Sequence, residues 1–478
     1  MIEVLQTRRL FVIILAIGLF VMAAREVTDP DVWWHLRTGQ LIVQTHQIPR
    51  ADPYSFTRLG EPWIDHEWLS QLLIYGLFRI GGWAVLTITF GVVFAAALML
   101  VFVRSSGKPF IAGAMVLLGA FASAPSWGVR PQMLTFLLTS VTLLLLDRSY
   151  AKPRLLWWIP PLMLLWANLH AGYALGIGLL ILFAIGDALD SAFGFVSWPK
   201  IAARLRTLIA VIAASTAVVV INPYGWRMYL YPFQTLHSRT MAAYINEWNS
   251  PNFHEGRYAP LLIMILASVV LPAISQRRSR PRDLLLLTIT TFAALRSVRH
   301  VPIYVLVAVP IFSAMIESLC SKKQFVPQKL TPAKAALNAM LLAGFVAFVI
   351  FRLHFVISRQ PQSEAEHFPA AAVAFIKAKH SPGPMFNHYD WGGYLIYQLY
   401  PDYPVFIDGR ADVYGDAVMD DFFNLYWVRQ PDWQQSLDRR GIKMVLLPPD
   451  APLVTALRET QEWKEIYADK LAVILAHR

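Results

Sequence analysis

Apolar stretches long enough to cross a membrane alternate with short polar connections through the first three quarters of the chain. A spanning helix needs about 20 consecutive apolar residues, and the chain offers eleven windows close to this length. They lie near 9–24, 83–103, 109–126, 132–146, 155–169, 171–188, 206–221, 259–274, 283–295, 300–317 and 335–356. The pattern predicts an α-helical polytopic membrane protein with about eleven transmembrane helices, the first of them an uncleaved span.

The last 120 or so residues change character, with charges, turns and short mixed runs in place of long apolar windows. "PMFN", "PVFIDG" and "KMVLLPP" have the composition of buried strands, and "AAAVAFIKAKH" has helical spacing. "GGYLIYQLY", "APLVTALRET" and "EWKEIYADK" are typical of further helices or connections. We therefore expect a transmembrane domain over 1–357 and a soluble C-terminal α/β domain over 360–478.

Composition agrees with a membrane protein, since 56% of the residues are hydrophobic, only 15% are charged and the mean hydropathy is +0.46. The net charge of +11 comes mostly from basic residues in every second connection, for example at Arg104, Arg148 and Arg277. Lys and Arg stay on the cytoplasmic side. The expected localisation is the bacterial cytoplasmic (inner) membrane, with a cytoplasmic N-terminus, an extracytoplasmic tail and no nucleic-acid partner.

The single cysteine, Cys320, excludes an intrachain disulfide and a thiolate metal site.

The opposite set of connections collects the unusual polar residues near the membrane, which places the candidate chemistry on the outer face. "TDPDVWWHL" comes first, with Asp29, Asp31 and His35. Pro30 disfavours helix at Asp29, so the motif predicts a loop with Asp31 as the helix cap. The alternative function for Asp29 and Asp31 is a general base, or a metal ligand near a phosphate.

"WIDHEWLSQLLIYGLFRIGG" approaches helical spacing and predicts an amphipathic segment at the interface before the next span. Asp65, His66 and Glu67 begin this segment, where acidic side chains favour the helix dipole. Capping explains Asp65 and Glu67. His66 is either a histidine with a local partner or a metal ligand or proton carrier.

Arginines at outer span ends predict an anion site. Arg130 lies in "SWGVRPQ", and Arg296, Arg299 and His300 follow one another at i, i+3 and i+4, which predicts one shared helix face. An arginine near the membrane is energetically costly unless it is paired or solvated. Its planar guanidinium group can donate two hydrogen bonds to phosphate oxygens. Snorkelling toward lipid headgroups is the alternative.

Two more outer connections carry amides and aromatics. "NLHAGYA" places Asn168 and His170 in a tight turn, and the loop with "INPYGWRMYLYPF" and "YINEWNSPNF" contains Glu247. Aromatic faces beside amides and carboxylates suit a sugar ring, although interfacial packing explains the aromatics as well.

In the tail, "FIDGRADVY" alternates Asp408, Arg410 and Asp412 after an expected strand, where α/β folds place ligand groups. An internal Asp–Arg pair that fixes a turn is the alternative.

An early first span, an acidic motif in the first outer loop, the segment "HEWLSQLLIYGLF" and further spans with outer arginines together resemble the GT-C membrane glycosyltransferases. The architectural resemblance covers about the first 350 residues. "HEWL" is similar to the family's "HPPL" type of segment, with Glu67 and Trp68 in place of the prolines. The chain also resembles a group of bacterial membrane proteins that carry "DPDxWWHLRTG", "IDHEW", "RPQ" and "FIDGRADVY", which implies no particular activity.

The GT-C resemblance implies transfer of a sugar from a polyprenyl-phosphate donor to a glycan, lipid or protein acceptor at the membrane's outer face. It also implies that a first-loop carboxylate, Asp29 or Asp31, acts as base or orients the acceptor. The expected phosphate-binding residues are Arg130, Arg296, Arg299 and His300. Those expected to bind acceptor or sugar are His35, His66, Glu67, Asn168, His170, Glu247, Asp408 and Arg410.

The reaction admits a divalent metal, Mg or Mn, without requiring one. A lipid or glycan transporter or flippase, a noncatalytic envelope scaffold and a glycan ligase or polymerase are alternatives. Polar residues at one end of the spans, rather than at mid-membrane, favour the enzyme over the transporter.

Overall fold

The computed structural model describes residues 6–105, 107–320 and 330–478. The helices are α1 Thr7–Ala23, α2 Asp31–Thr45, α3 Trp68–Arg104, α4 Pro109–Ser123, α5 Gln132–Arg148, α6 Ile159–Leu169, α7 Tyr173–Ala192, α8 Trp198–Ala217, α9 Arg227–His237, α10 Arg239–Tyr244, α11 Ala259–Ile274, α12 Pro281–Arg296, α13 Val301–Leu319, α14 Pro332–His367, α15 Ala370–Lys379, α16 Gly392–Leu399, α17 Ala411–Tyr426, α18 Trp433–Arg439 and α19 Pro452–Arg458. The strands are β1 Met385–Asn387, β2 Met444–Leu447, β3 Trp463–Ala468 and β4 Val473–His477.

Each of the eleven apolar windows falls on a helix, and the chain is a multi-pass membrane protein. Among the described residues, seven helical segments are long and apolar enough to span a membrane. They are Trp68–Arg104, Pro109–Ser126, Tyr173–Ala192, Trp198–Val220, Gly256–Ile274, Val298–Leu319 and Pro332–His367. The helices at the other four windows are shorter, so the number of eleven crossings stays a prediction.

The chain forms two compact units. The first, the span unit, contains residues 1–25, 87–228 and 246–357. The second, the loop–tail unit, contains residues 26–86, 229–245 and 358–478. The tail therefore shares its unit with the first outer loop and with a short segment of a later loop.

Close helix packing in the span unit depends on small residues. A Cβ on Gly119 of α4 would lie 2.6 Å from the Val305 side chain of α13, and one on Gly176 of α7 would lie 2.4 Å from Met163 of α6. Glycine lets the helix backbones approach closely enough for dispersion contacts, which replace the hydrophobic effect inside a membrane.

Charged residues of the span unit are paired where they are buried. Arg104 Nε donates to Asp147 Oδ2 at 2.8 Å, and Arg204 Nε donates to Asp187 Oδ2 at 2.8 Å. Pairing offsets the cost of removing these charges from water.

The loop–tail unit contains a four-stranded sheet of order β1-β2-β4-β3. β1 and β2 are parallel, and the other two pairings are antiparallel. The strand predictions for "PMFN" and "KMVLLPP" are confirmed. The strand prediction for "PVFIDG" is wrong, because Val405 makes only an isolated bridge to Ser55 of the first loop. "EWKEIYADK" forms strand β3, not a helix, since it pairs with β4.

Aromatic packing joins the first loop to the tail inside the loop–tail unit. The buried indole of Trp33 on α2 meets the Tyr394 and Phe368 rings at centroid distances of 4.8 and 5.4 Å. A Cβ on Gly393 of α16 would lie 2.5 Å from the Pro30 carbonyl oxygen. α2 and α16 therefore pack in direct contact.

The amphipathic part of α3 is separated from its apolar part by a break. Gly81 and Gly82 have non-helical backbone angles, and Gly82 has φ +59, a conformation that favours glycine. The break therefore lies where the sequence predicts the boundary between the interfacial segment and the span that follows it.

Candidate functional site

The first-loop carboxylates belong to the loop–tail unit and have different surroundings. Asp29 Oδ1 accepts a hydrogen bond from the backbone N–H of Asp31 at 2.9 Å, so Asp29 satisfies the first turn of α2. The expectation that Asp31 is the helix cap is wrong, because Asp31 already lies inside the helix and Pro30 precedes it. The Asp31 side chain therefore makes its contacts elsewhere in the loop–tail unit.

The Asp31 carboxylate lies between α2 and the "FIDGRAD" segment of the tail. Its Oδ1 accepts from Trp34 Nε1 at 3.1 Å, and a Cβ on Gly409 would lie 1.8 Å from the same oxygen. Only a residue without a side chain fits at Gly409 while Asp31 holds this position. Asp31 is half-buried and stays in reach of solvent.

Glu67 lies between two histidines. The distance from His35 Nε2 to Glu67 Oε2 is 3.6 Å, and the distance from His66 Nε2 to Glu67 Oε1 is 3.3 Å. Burial is the largest single influence on the pKa of His66 and lowers it, but the charge and hydrogen bond of Glu67, together with the charges of Asp412 and Asp65, raise the pKa overall. Glu67 is therefore the local partner that one of the two interpretations of His66 required.

The chain of contacts continues from His66 to Tyr231, which the sequence did not suggest, and to Asp412, which belongs to the alternating motif of the tail but was not among the expected sugar-binding residues. Tyr231 Oη lies 3.4 Å from His66 Nε2 and donates to Asp412 Oδ2 at 3.2 Å. The His66 and Tyr231 rings lie 4.2 Å apart. Burial raises the pKa of Asp412. A signal for Asp412 was present in the alternation of "DGRAD", whereas nothing in "YLYPF" distinguished Tyr231 from its neighbours.

Asp65 is a buried carboxyl beside this cluster, with 1% of its surface exposed. Its Oδ1 accepts from Gln71 Nε2 at 2.5 Å, and its Oδ2 has no hydrogen-bond partner among the described residues. Burial, with a smaller contribution from the charge of Glu67, raises the pKa of Asp65 to about 7. Asp65 therefore exchanges its proton near neutral pH.

Asp408 and Arg410 form an internal ion-pair cluster. Arg410 Nε and Nη2 donate to the two oxygens of Asp408 at 2.8 and 2.7 Å, and Nη1 donates to Asp52 Oδ1 at 2.7 Å. Tyr414 donates to Asp408 as well. These contacts correspond to the alternative interpretation of the motif, a pair that fixes a turn, since both side chains are fully buried and their polar atoms are engaged.

A cavity of about 490 Å³ lies within the loop–tail unit, beside the contact of Tyr231 with Asp412. The first loop contributes Trp63 and Ile64 to its wall, and α9 contributes Gln234 and Thr235. Asp412 and Tyr231 both line it, so the chain of contacts from His35 through Glu67 and His66 ends at the cavity wall.

In the span unit, Arg130, expected to bind the donor phosphate, pairs with Glu247, expected to bind acceptor or sugar. Arg130 Nη1 donates to Glu247 Oε1. Burial raises the pKa of Glu247, but the charges of Arg130 and Arg299 outweigh burial and lower it overall. The Arg299 guanidinium lies 5.1 Å from the centre of the Trp248 ring. Arg130, Arg299 and Glu247 therefore form one charged group.

The expected helix face of Arg296, Arg299 and His300 is wrong. α12 ends at Arg296, Ser297 is extended with φ -153 and ψ 132, and Val298–His300 form a 3-10 turn before α13. Ser297 Oγ donates to the Glu247 carbonyl oxygen at 2.8 Å, which fixes this break beside the charged group.

Asn168 and His170 stabilise tight turns of the span unit. Asn168 Nδ2 donates to the Leu164 and Ile221 carbonyl oxygens at 2.9 and 3.1 Å. The Gly172 N–H donates to His170 Nδ1 at 3.0 Å, so a neutral His170 carries its proton on Nε2. These contacts give both side chains a role in backbone geometry.

The described side chains form no preassembled Mg or Mn site at the first-loop aspartates. Around Asp29 and Asp31, the described part of the chain has no group of three carboxylate, imidazole or thiolate ligands. The Glu67 cluster pairs one carboxylate with the imidazoles of His35 and His66, whereas Mg and Mn prefer oxygen ligands. We therefore derive no catalytic step through a divalent ion.

Solved structures share the fold of this chain at low sequence identity. ArnT from Cupriavidus metallidurans in the apo state has a TM-score of 0.51 at 15% identity, covering 98% of this chain and 97% of that chain. The Archaeoglobus fulgidus oligosaccharyltransferase tethered to an acceptor peptide containing the NVT sequon has a TM-score of 0.52 at 12% identity, covering 93% of this chain and 70% of that chain. No family profile and no curated protein sequence matches the chain. Both solved structures have the GT-C fold, and the chain shares this fold, as its resemblance to the GT-C glycosyltransferases implied.

Proposed function

We propose that the chain is a membrane glycosyltransferase that transfers a sugar from a polyprenyl-phosphate donor to an acceptor at the outer face of the cytoplasmic membrane. The observation that carries this proposal is the GT-C fold, which extends over nearly the whole chain rather than over a few helices. A half-buried carboxylate held at a fixed position in the first loop supports it, because glycosyl transfer needs a group that orients or deprotonates the acceptor.

Asp31 is the carboxylate we assign to the acceptor. The Asp29 carboxylate already accepts a hydrogen bond from the first turn of α2, so replacing Asp29 by an uncharged residue would mainly affect that turn. The Trp34 hydrogen bond and the contact with Gly409 fix Asp31 at one position. Fixed geometry matters because a catalytic base acts only within hydrogen-bond reach of the proton it removes.

In the span unit we assign binding of the donor phosphate to Arg130 and Arg299. Arg296 and His300, which are close to Arg299 in sequence, are assigned to the same phosphate site. A guanidinium binds a phosphate and a carboxylate with the same forked geometry. The Arg130–Glu247 pair is therefore a contact that a phosphate group can compete with. Negative charge on the departing phosphate grows in the transition state, so arginines fixed before the reaction stabilise that state more than the ground state.

His35, His66 and Glu67 are assigned to the acceptor as a connected proton-carrying group, together with Asp412 and Tyr231. Asn168, His170, Asp408 and Arg410 are assigned to the stability of the fold instead, because their contacts fix backbone turns and a buried cluster.

The experiment that tests the proposal is incorporation of radiolabelled sugar from a panel of polyprenyl-phosphate sugars by the purified protein in lipid. Candidate acceptors are supplied as a total envelope lipid and glycan extract. Asp31→Asn should abolish transfer without changing expression. Glu61→Gln, an exposed first-loop acid, is the matched control and should retain it.

Transfer that persists in Asp31→Asn would refute the assignment of Asp31. Absence of transfer by the wild-type protein from every donor, with the extract present and with or without divalent ions, would refute the glycosyltransferase proposal in favour of a transporter or scaffold.

A further inference from the structure

The cavity in the loop–tail unit has walls of an unusual composition for a protein expected to handle phosphorylated donors. Its lining includes the rings of Trp63 and Tyr231, the amide of Gln234 and the carboxylates of Asp412 and Asp416. No Lys or Arg of the described chain lines it, and the imidazole in its wall, that of His237, donates from Nδ1 to the Phe233 carbonyl oxygen of its own helix at 2.7 Å. Phosphate groups are bound best by several cationic donors, whereas these walls present two carboxylates, so they favour a neutral or cationic occupant.

The two carboxylates of the wall differ in their engagement. Asp416 Oδ1 accepts from Ser238 and from Thr240, each at 2.7 Å, and Asp416 Oδ2 lies 3.7 Å from the exposed guanidinium of Arg239. Asp416 therefore holds the start of α10. Asp412 accepts from the Tyr231 hydroxyl at 3.2 Å. A carboxylate has room for about four hydrogen bonds, so Asp412 has capacity for hydroxyl or ammonium groups of an occupant.

We propose that this cavity holds the acceptor and that the part of the acceptor bound there is a neutral or amine-bearing sugar. This inference rests on the proposed function. Vicinal hydroxyls donate to carboxylates and amides, and the C–H face of the ring packs on aromatic side chains. A volume of about 490 Å³ accommodates one to two sugar rings. A phosphorylated or carboxylated acceptor end would instead meet Asp412 with like charge.

The helix that lines the cavity also places it at the membrane surface. α9 contributes Tyr231, Gln234 and Thr235 to the cavity. At three-residue spacing it exposes Leu230, Phe233 and Leu236, which are 46%, 62% and 62% exposed. A helix with this division lies in the interface with its apolar face toward lipid. The acceptor sugar bound in the cavity is therefore part of a membrane-linked glycan.

Charge-selective labelling tests the electrostatics of the cavity without requiring activity. Cys320→Ser removes the only cysteine, and Gln234→Cys then places a single thiol in the cavity. The full-length protein in lipid is treated at pH 8 with a cationic (aminoethyl) or an anionic (sulfonatoethyl) methanethiosulfonate. We expect the cationic reagent to react at least about tenfold faster than the anionic one, after correction for their rates with free thiol.

Asp412→Asn in the same background should reduce this preference several-fold. Asp420→Asn removes the same charge from the same helix at a position that does not line the cavity, and it should leave the preference unchanged. An anionic reagent that reacts as fast as the cationic one, or equal effects of the two variants, would overturn the proposal.

The occupant is tested by protection of the same thiol with soluble probes. Neutral hexose tetrasaccharides or their amino-sugar counterparts should slow labelling, and 6-phosphorylated forms should not. Protection by the phosphorylated forms at equal or lower concentration, or by no sugar at all, would overturn the assignment. If sugars protect the thiol but the wild-type protein transfers no sugar, the proposed function is refuted and the cavity assignment stands. If the protein transfers sugar to an acceptor that does not protect the thiol, the cavity assignment is refuted and the proposed function stands.

Discussion

Replacement of Arg410 by methionine is the sharpest test of how the first loop and the tail are held together within the loop–tail unit. The side chains of Arg410, Asp408 and Asp52 are 1%, 0% and 0% exposed. Methionine keeps most of the length but removes three side-chain hydrogen bonds and the only charge that offsets two buried carboxylates in this cluster. Loss of one partner from a buried ion pair costs about 3–5 kcal/mol, because the remaining charge stays desolvated.

This cost predicts a measurable increase in local opening. At about 1.4 kcal/mol for each factor of ten, the opening equilibrium should rise about 100-fold to several thousand-fold. Hydrogen–deuterium exchange of the full-length protein in nanodiscs measures it, in the peptide that covers residues 404–416. Adding Asp52→Asn and Asp408→Asn to Arg410→Met should restore part of the protection, since it removes the unpaired charges.

The matched control is Arg440→Met, because Arg440 pairs with Asp421 where the side chains are 31% and 45% exposed. A pair of this kind contributes at most about 1 kcal/mol. Exchange in Arg410→Met that equals the wild-type exchange, or that equals the exchange in Arg440→Met, would refute the argument from burial.

Three further predictions concern the same two units. Gly409→Ala should displace the Asp31 carboxylate, because the new Cβ would lie 1.8 Å from its Oδ1, and sugar transfer should fall while the protein stays folded. Gly76→Ala is the control, because no neighbouring atom lies within 4 Å of the new Cβ. Equal activity in the two variants would contradict the role of Asp31. The pKa of Asp65 is raised from 3.8 to about 7, so the native state binds more protons than the unfolded state between these pH values and stability falls as the pH rises through them. The effect amounts to at most about 4 kcal/mol, and thermal unfolding from pH 4 to 8 should show a flatter profile in Asp65→Asn than in the wild type; identical profiles would exclude a raised pKa. The pKa of Glu247 is lowered, so its contribution to stability is complete above the ordinary pKa of glutamate and is lost as the pH falls through the lowered value. Arg130→Met and Glu247→Gln should each remove this acid-sensitive contribution, and a double-mutant cycle with additive effects would show that the two side chains do not interact.

The amino-acid sequence was sufficient to predict a multi-pass membrane protein, to place a helix at each apolar window and, through its resemblance to a known family, to predict the GT-C fold. Apolar windows specify helices in a membrane because the backbone must satisfy its own hydrogen bonds there. Local sequence also predicted the amphipathic segment at the start of α3, which is separated from the apolar span by the break at Gly81 and Gly82.

Which polar residues contact one another depends on the tertiary structure. Asp52 and Arg410 are 358 residues apart in sequence yet form one ion pair, and Tyr231 joins His66 to Asp412 across separations of 165 and 181 residues. No local pattern encodes these contacts, because they depend on how the first loop packs against the tail. The same limit explains Arg296, Arg299 and His300, whose spacing fits one helix face until Ser297, held by the Glu247 carbonyl oxygen, ends the helix between them. Periodicity reports the preference of a segment alone, whereas a helix end is set by the hydrogen-bond partners that distant residues supply.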